Sequence, residues 1–286
     1  MELRVPEGWK LRAAGYGLRA FGSSIAVLWA LSCLAGFAQA PSPQPAVRSP
    51  QPVIPGFIEI PAGPFVMGGE RARDPLAYDN EVGERTIDLP AFLIAQREVT
   101  VAEFTAFVQA TNWPVDAAAL SAPRDHPVRH VSWPDAIGYA RWLDSTMKGK
   151  LPAGWHVTLP TEAQWEKAAH GVERRRFPWG DEPRRDRANF SAQAPVAAGS
   201  IACPECAHGL SDMAGNVWEW TRSPYQPYPY DDANDRADLG QDALWVMRGG
   251  GYADGPQLIR TTARGAAEPG ARRPFIGFRV VLTPMP

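Results

Sequence analysis

The chain has 286 residues, with 29 basic and 31 acidic side chains and a formal charge of −2. That balance argues against a nucleic-acid partner, because neutralising phosphates takes clustered Lys and Arg. Eleven tryptophans call for a packed core, and 26 glycines with 29 prolines argue for a loop-rich domain and against a helical bundle.

The first forty residues read as an export signal. Arg4, Lys10, Arg12 and Arg19 precede an apolar run from Ala20 to Phe37, and the small residues Gly36 and Ala38 suit cleavage after Ala38. Two other readings stand beside this one. The run is just long enough to remain as a membrane anchor, and Cys33 would carry the lipid of a lipoprotein, though Ala30-Leu31-Ser32 is a poor context for it. The expectation is a signal peptide over 1–38, a proline-rich extended tether over 39–55 and a folded domain over 56–286, working in the periplasm or outside the cell. No other stretch is apolar enough to cross a bilayer. Removing 1–38 takes away four basic and two acidic residues, which moves the formal charge from −2 to −4.

Within the domain, Phe57-Ile58-Glu59-Ile60 alternates as a strand, Gly63-Pro64 is turn chemistry, and Phe65-Val66-Met67 is a second short strand. Residues 87–97 read as two short strands interrupted at Pro90. Thr100 and Glu103 form a capping box ahead of a helix whose apolar face holds Phe104, Phe107 and Val108. Ser132 with Asp135 starts a second helix, striped by Ala136, Ile137, Tyr139, Ala140 and Leu143, and Thr161 caps a third through Trp165, Ala168 and Ala169. Beyond residue 175 only short strands and loops are expected. Few helices followed by irregular β structure define an α+β domain.

Export leaves two cysteines, Cys203 and Cys206, three residues apart. In an oxidising compartment such a pair is expected as a local disulfide. A redox-active pair would ordinarily follow a strand and open a helix, whereas Gly199 and Pro204 surround this one with loop. Two sulfurs fall short of a four-ligand zinc site, while a two-thiolate Cu(I) site is chemically allowed. The redox and copper alternatives stay open here.

A series of motifs accumulates in order: Ile60 to Gly68 (IPAGPFVMG), Arg97-Glu98-Val99-Thr100, His126-Pro127-Val128, Val131-Ser132-Trp133, Leu159 to Glu166 (LPTEAQWE) and Phe177-Pro178-Trp179-Gly180. Gly209 to Trp220 (GLSDMAGNVWEW), Arg248-Gly249-Gly250 and Gly277-Phe278-Arg279-Val280 complete it. This resembles the formylglycine-generating enzyme (sulfatase-modifying factor) family across about 57–282, which implies an irregular fold related to C-type lectin-like domains.

Asp212 and Glu219, seven residues apart around Gly215, are a carboxylate pair able to wrap a hard cation. The resemblance implies calcium here, held by the side chains of Asp212 and Glu219 and the carbonyls of Gly215 and Val217. The plainer reading is that Glu219 pairs with an arginine and Asp212 caps a turn. A second family calcium site would begin at Asn189, but the stretch supplying its other ligands is shortened.

The chain departs from the family in residues 248–264. The family's enzyme has two cysteines there that bind Cu(I); alignment on the glycines places Asp254 and Ile259 at those positions. A carboxylate and an isoleucine cannot replace two thiolates for a soft metal, so copper is not expected and formylglycine generation by the two-cysteine route is not expected either. The Cys203–Cys206 loop would compensate only by folding over the old site. Asp254, Arg260 and Arg264 are the catalytic candidates, and Trp218, Tyr252, Asp254 and Arg264 the walls of a groove suited to a polar or peptidic ligand; the plainer reading of the arginines is surface ion pairing. His126 and His130 have a four-residue spacing, but Pro127 argues against the helix that a zinc site would need. His156 and His170, flanking the third helix, are expected at the surface or as caps.

Two functions are compatible with these residues. The first is an exported enzyme that oxidatively matures a peptide or protein other than a sulfatase cysteine, as the resembling pyoverdine-maturation and nitrite-reductase-associated proteins suggest. The second is a calcium-stabilised module that binds a peptide, a glycan or a partner enzyme without converting it.

Overall fold

The structure is a computed structural model that describes residues 53–285 apart from Val172, Ala237, Asp238 and Gln241; the expected signal peptide and nearly all of the tether lie outside the described residues. Ten strands and three α-helices are formed among them. In chain order these are β1 (Phe57–Ile60), β2 (Gly63–Met67), β3 (Arg85–Leu89), β4 (Phe92–Ala95), α1 (Val101–Thr111), α2 (Trp133–Thr146), β5 (Trp155–Thr158) and α3 (Glu162–His170). Then come β6 (Trp218–Pro224), β7 (Trp245–Arg248), β8 (Arg264–Ala267), β9 (Ile276–Gly277) and β10 (Val281–Pro284). The α+β architecture and the scarcity of helix after residue 175 match the sequence expectation.

Each helix begins where its cap predicts. Glu103 Oε2 accepts from the Thr100 N–H at 2.8 Å, Asp135 Oδ2 from that of Ser132 at 2.8 Å and Gln164 Oε1 from that of Thr161 at 2.9 Å. These bonds satisfy donors that the first helical turn leaves orphaned. Pro90 separates β3 from β4, as a residue without an N–H must.

One four-stranded sheet runs in the order β1-β4-β10-β5, with all neighbours antiparallel. A second runs β8-β7-β6-β9, where β6 and β9 pair in parallel, and β2-β3 form a separate hairpin. The main core lies between the sheets and the two long helices. There Phe104, Phe107, Tyr139 and Phe278 cluster edge to face, and Trp133 stacks on Trp245 with ring centroids 3.8 Å apart. The buried indoles also anchor loops: Trp133 Nε1 donates to the Thr221 carbonyl at 2.8 Å and Trp220 Nε1 to that of Val131 at 3.1 Å. Apolar bodies with one polar donor thus join core to irregular backbone, which is why a loop-rich chain uses so many tryptophans.

Helix α3 differs from the other two. All nine of its residues are buried, so Glu162 and Glu166 point into protein rather than water, and their charge must be matched there.

Candidate functional site

The first strand of the second sheet starts at Trp218, and the loop leaving β7 passes in front of it. Two successive glycines, Gly249 and Gly250, hold positive φ in that loop, and a Cβ on Gly250 would lie 2.6 Å from the Leu258 carbonyl oxygen. Only glycine lets the chain turn back so tightly. The turn places Asp254 beside Trp218: Trp218 Nε1 and the Gly251 N–H both donate to Asp254 Oδ2, at 2.7 and 2.8 Å. The Asp254 carbonyl accepts from the Ser191 N–H at 2.8 Å, and Tyr252 is pinned by its N–H to Asn216 O at 2.8 Å and its carbonyl from Ala192 N at 2.7 Å. Asp254 and Tyr252 are half-buried and Trp218 is buried. The result is a carboxylate held at one oxygen, with Oδ1 accepting no hydrogen bond among the described residues.

The structure therefore brings together Trp218, Tyr252 and Asp254, and takes Arg260 and Arg264 away from them. Arg260 is fully buried and bound to Asp74 and to both oxygens of Glu81, at 2.6 to 2.7 Å. Arg264 donates to both oxygens of Glu162 and lies over the ring of Tyr228, 4.1 Å from its centroid. Arg260, expected as a catalytic candidate, and Arg264, expected also as a groove wall, both lie in the interior instead. The cause is the all-round burial of α3 and the burial of the Asp74 and Glu81 side chains, whose carboxylates require guanidiniums inside the domain. The sequence signal that could have shown this is the pair Glu162 and Glu166 on one helix, four residues apart, opposite a chain segment rich in arginine.

Ile259 is completely buried in a cluster with Phe177, Trp179, Ala188, Phe190 and Ala214. Cys203 and Cys206 are joined by a disulfide and pack against this same cluster. The loop carrying them thus does reach the cluster that holds Ile259.

The Asp212–Glu219 segment forms a second interior electrostatic feature. Gly215 has φ +78°, and a Cβ there would lie 2.3 Å from the Asn189 carbonyl oxygen. Asp212 accepts from the Gly199 N–H at 2.6 Å. Glu219 is fully buried and is gripped by Arg279 at 2.7 and 2.6 Å, with a further bond from Trp165 Nε1 at 2.8 Å. Glu98 is fully buried nearby; its Oε1 accepts from Asn216 Nδ2 at 3.0 Å and its Oε2 has no partner. Burial, then the charges of Asp212 and Glu219, push the Glu98 carboxyl well above the usual carboxylate range, and Arg279 only partly offsets them. Asp212 and Glu219 together carry more negative charge than Arg279 balances, beside a Glu98 carboxyl whose Oε2 has no partner. Those features fit a hard cation, although Glu219 already spends much of its capacity on Arg279. Among the described residues no set of three or more His, Cys, Asp or Glu side chains is arranged to hold a metal ion. Asn189 spends its amide donors on Ala194 O and Asn216 Oδ1, at 3.0 and 3.2 Å.

The histidines separate. His126 Nδ1 lies 3.0 Å from Asp125 Oδ1, and the following Pro127 bridges to Thr100. His170 is the last residue of α3, only 3% exposed and 5.7 Å from the Phe65 ring; of the two expectations for it, surface or cap, the surface position is corrected to the interior. His156 lies half-buried on β5.

The fold is an irregular α+β architecture in which a glycine-turned loop presents Asp254 beside Trp218. Residues 43–284 match the sulfatase-modifying factor enzyme 1-like domain, and the chain belongs to that family. It is 35% identical to a formylglycine-generating enzyme of Thermomonospora curvata over 60% of this chain and 73% of that protein. It is 32% identical to a hercynine oxygenase of Mycolicibacterium thermoresistibile over 82% of this chain, and it spans 63% of that protein's length. PvdO from Pseudomonas aeruginosa has the same fold, with a TM-score of 0.68 at 24% identity over 79% of this chain and 94% of that one.

Proposed function

We propose that this chain is an exported enzyme that oxidatively modifies a peptide or protein other than a sulfatase cysteine. The observation that carries the reading is Asp254. It occupies the position where the family's enzyme is expected to carry a copper thiolate, one of its oxygens is fixed by Trp218 and Gly251, and the other is left for a ligand. A half-buried carboxylate of this kind binds a donor group of the substrate and takes or returns its proton. Tyr252, half-buried beside the carboxylate, offers an aromatic face on which a peptide side chain packs, while buried Trp218 fixes Asp254 in place.

Family membership supports oxidative chemistry, and relatives named as hercynine oxygenases support substrates other than sulfatases. Ile259 in the second thiolate position argues for a route without the two-cysteine copper site. A calcium ion, supported by the excess buried charge around Asp212, Glu219 and Glu98, would stabilise the scaffold from which the Asp254 loop is hung, through Asp212, Gly215, Val217 and Glu219. It supplies structure and not chemistry.

The test is mass spectrometry and oxygen uptake on the exported proteome of the source organism, with and without the purified protein. The expected result is a two-electron mass change on one peptide or protein, lost in Asp254→Asn. Tight capture of a partner whose mass never changes would overturn the enzyme and leave a binding module.

A further inference from the structure

We propose that Cys203 and Cys206 form a thiol–disulfide exchange site, independent of Asp254, that takes a peptide or protein dithiol as its reductant.

The pair is poorly placed to be a staple. Its residues are only three apart in the chain, and the stabilisation a cross-link gives grows with the loop it closes. The loop is also held without it. Arg175 Nη1 donates to the Pro178 and Glu205 carbonyls at 3.2 and 2.6 Å, and Arg184 and Arg187 both donate to Glu205 Oε1, at 2.8 and 2.6 Å. The backbone closes on itself through Cys206 N to Cys203 O at 3.1 Å and Ala207 N to Pro178 O at 3.0 Å. Cutting the S–S bond removes none of these contacts.

The pair is well placed for exchange. Both cysteines are half-buried, and Ala202 and Pro204 beside them are exposed, so a thiolate can approach from solvent. Arg175, Arg184 and Arg187 surround the loop, with Glu173, Asp186 and Glu205 as their acidic partners. Guanidiniums around the loop favour a leaving thiolate, moderated by those carboxylates. The disulfide rests on the cluster of Phe177, Trp179, Phe190 and Ile259. Phe190 leads directly into Ser191, whose N–H holds the Asp254 carbonyl, so the cluster under the pair is joined through the backbone to the Asp254 loop.

The step balances within the two molecules. A substrate thiolate attacks one Sγ, the S–S bond breaks, and the other cysteine leaves as a thiolate. The second substrate thiol, on losing its proton, attacks the substrate sulfur of the mixed disulfide. The substrate departs as a disulfide, two electrons have passed to Cys203 and Cys206, and the two protons reach their sulfurs.

The experiment equilibrates the native full chain in glutathione buffers of increasing reducing strength, quenches with acid, alkylates and counts the added masses. The expected result is conversion to dithiol in buffers that leave structural disulfides oxidised, with near-ultraviolet circular dichroism unchanged. Cys203→Ser and Cys206→Ser should each accumulate a mixed disulfide with glutathione, and the double variant should melt within about 2 °C of the parent, the shift expected of a dispensable contact. A pair that stays oxidised until urea unfolds the chain, or a fold lost on reduction, would overturn the proposal. Thiol counting requires no turnover, so its failure is distinct from failure of the Asp254 reading.

Discussion

Arg264 donates from Nε and Nη2 to the two oxygens of Glu162, at 2.8 and 2.7 Å, with neither side chain exposed. Glu162 also accepts from Arg248, at 3.3 Å, and Arg248 in turn grips Glu166. An interior assembly of two carboxylates and two guanidiniums is stable only while every member is present, because removing one leaves a buried charge without its partner.

Arg264→Met should therefore destabilise the domain by about 3–5 kcal/mol, the usual cost of breaking one partner of a buried pair. Urea denaturation followed by tryptophan fluorescence reads this as a lower midpoint. The double change Arg264→Met with Glu162→Gln should recover part of the loss, since it removes the orphaned charge. A single variant as stable as the parent would return Arg264 to the groove.

Asp254→Asn is expected to behave in the opposite way. The amide oxygen still accepts from Trp218 and Gly251, so stability by urea denaturation should stay within about 0.5–1 kcal/mol of the parent. Turnover of the substrate should fall by about a hundredfold or more if the carboxylate acts on a proton. A variant with full turnover would show that Asp254 only shapes its loop.

Helix starts at Thr100, Ser132 and Thr161 were legible because capping is local: a donor, an acceptor and three residues decide it. The strand break at Pro90 was legible for the same reason. Arg260 and Arg264 were not, since their partners Glu81 and Glu162 lie 179 and 102 residues away in the chain and no periodicity encodes such pairing. His170 was misplaced because a short helix with charged ends reads as a surface helix, and only tertiary packing buries α3 on all sides. Trp218, Tyr252 and Asp254 could be named from motif order, yet the hydrogen bond that joins Trp218 to Asp254 follows from a glycine turn whose shape the sequence does not display.

Calcium should stabilise the protein if the excess charge around Asp212, Glu219 and Glu98 is matched by a cation. A ligand at a hundred times its dissociation constant adds about 2.7 kcal/mol, which for a domain of this size raises the melting temperature by roughly 5–10 °C. Calorimetry on chelator-treated protein, titrated with Ca2+ and then with Mg2+, measures it. Gly215→Ala should both lower the baseline melting temperature and abolish the calcium response, because its Cβ collides with the Asn189 carbonyl. No shift with either ion would mean that Arg279 and a proton on Glu98 carry the balance alone.

The cap of α1 should give the protein part of its acid sensitivity. Burial acts to raise the Glu103 carboxyl, but hydrogen bonds from Arg97 and Thr100 outweigh it and hold the group below the usual carboxylate range. Its pKa is therefore lower folded than unfolded. The stabilisation is fully present above the unfolded value, about 4.3, and is lost as the pH falls through the folded value. The Glu103 side chain is 43% exposed, so solvent screening limits the effect to about 0.5–1 kcal/mol. Glu103→Gln should lower stability by that amount at pH 7 and flatten the fall in stability as the pH drops below about 4.3. Salt at about 1 M should shrink the difference between parent and variant, because the Arg97 partner is screened. Equal slopes for the two proteins across the acid range would remove the Thr100–Glu103 cap from the account of acid unfolding.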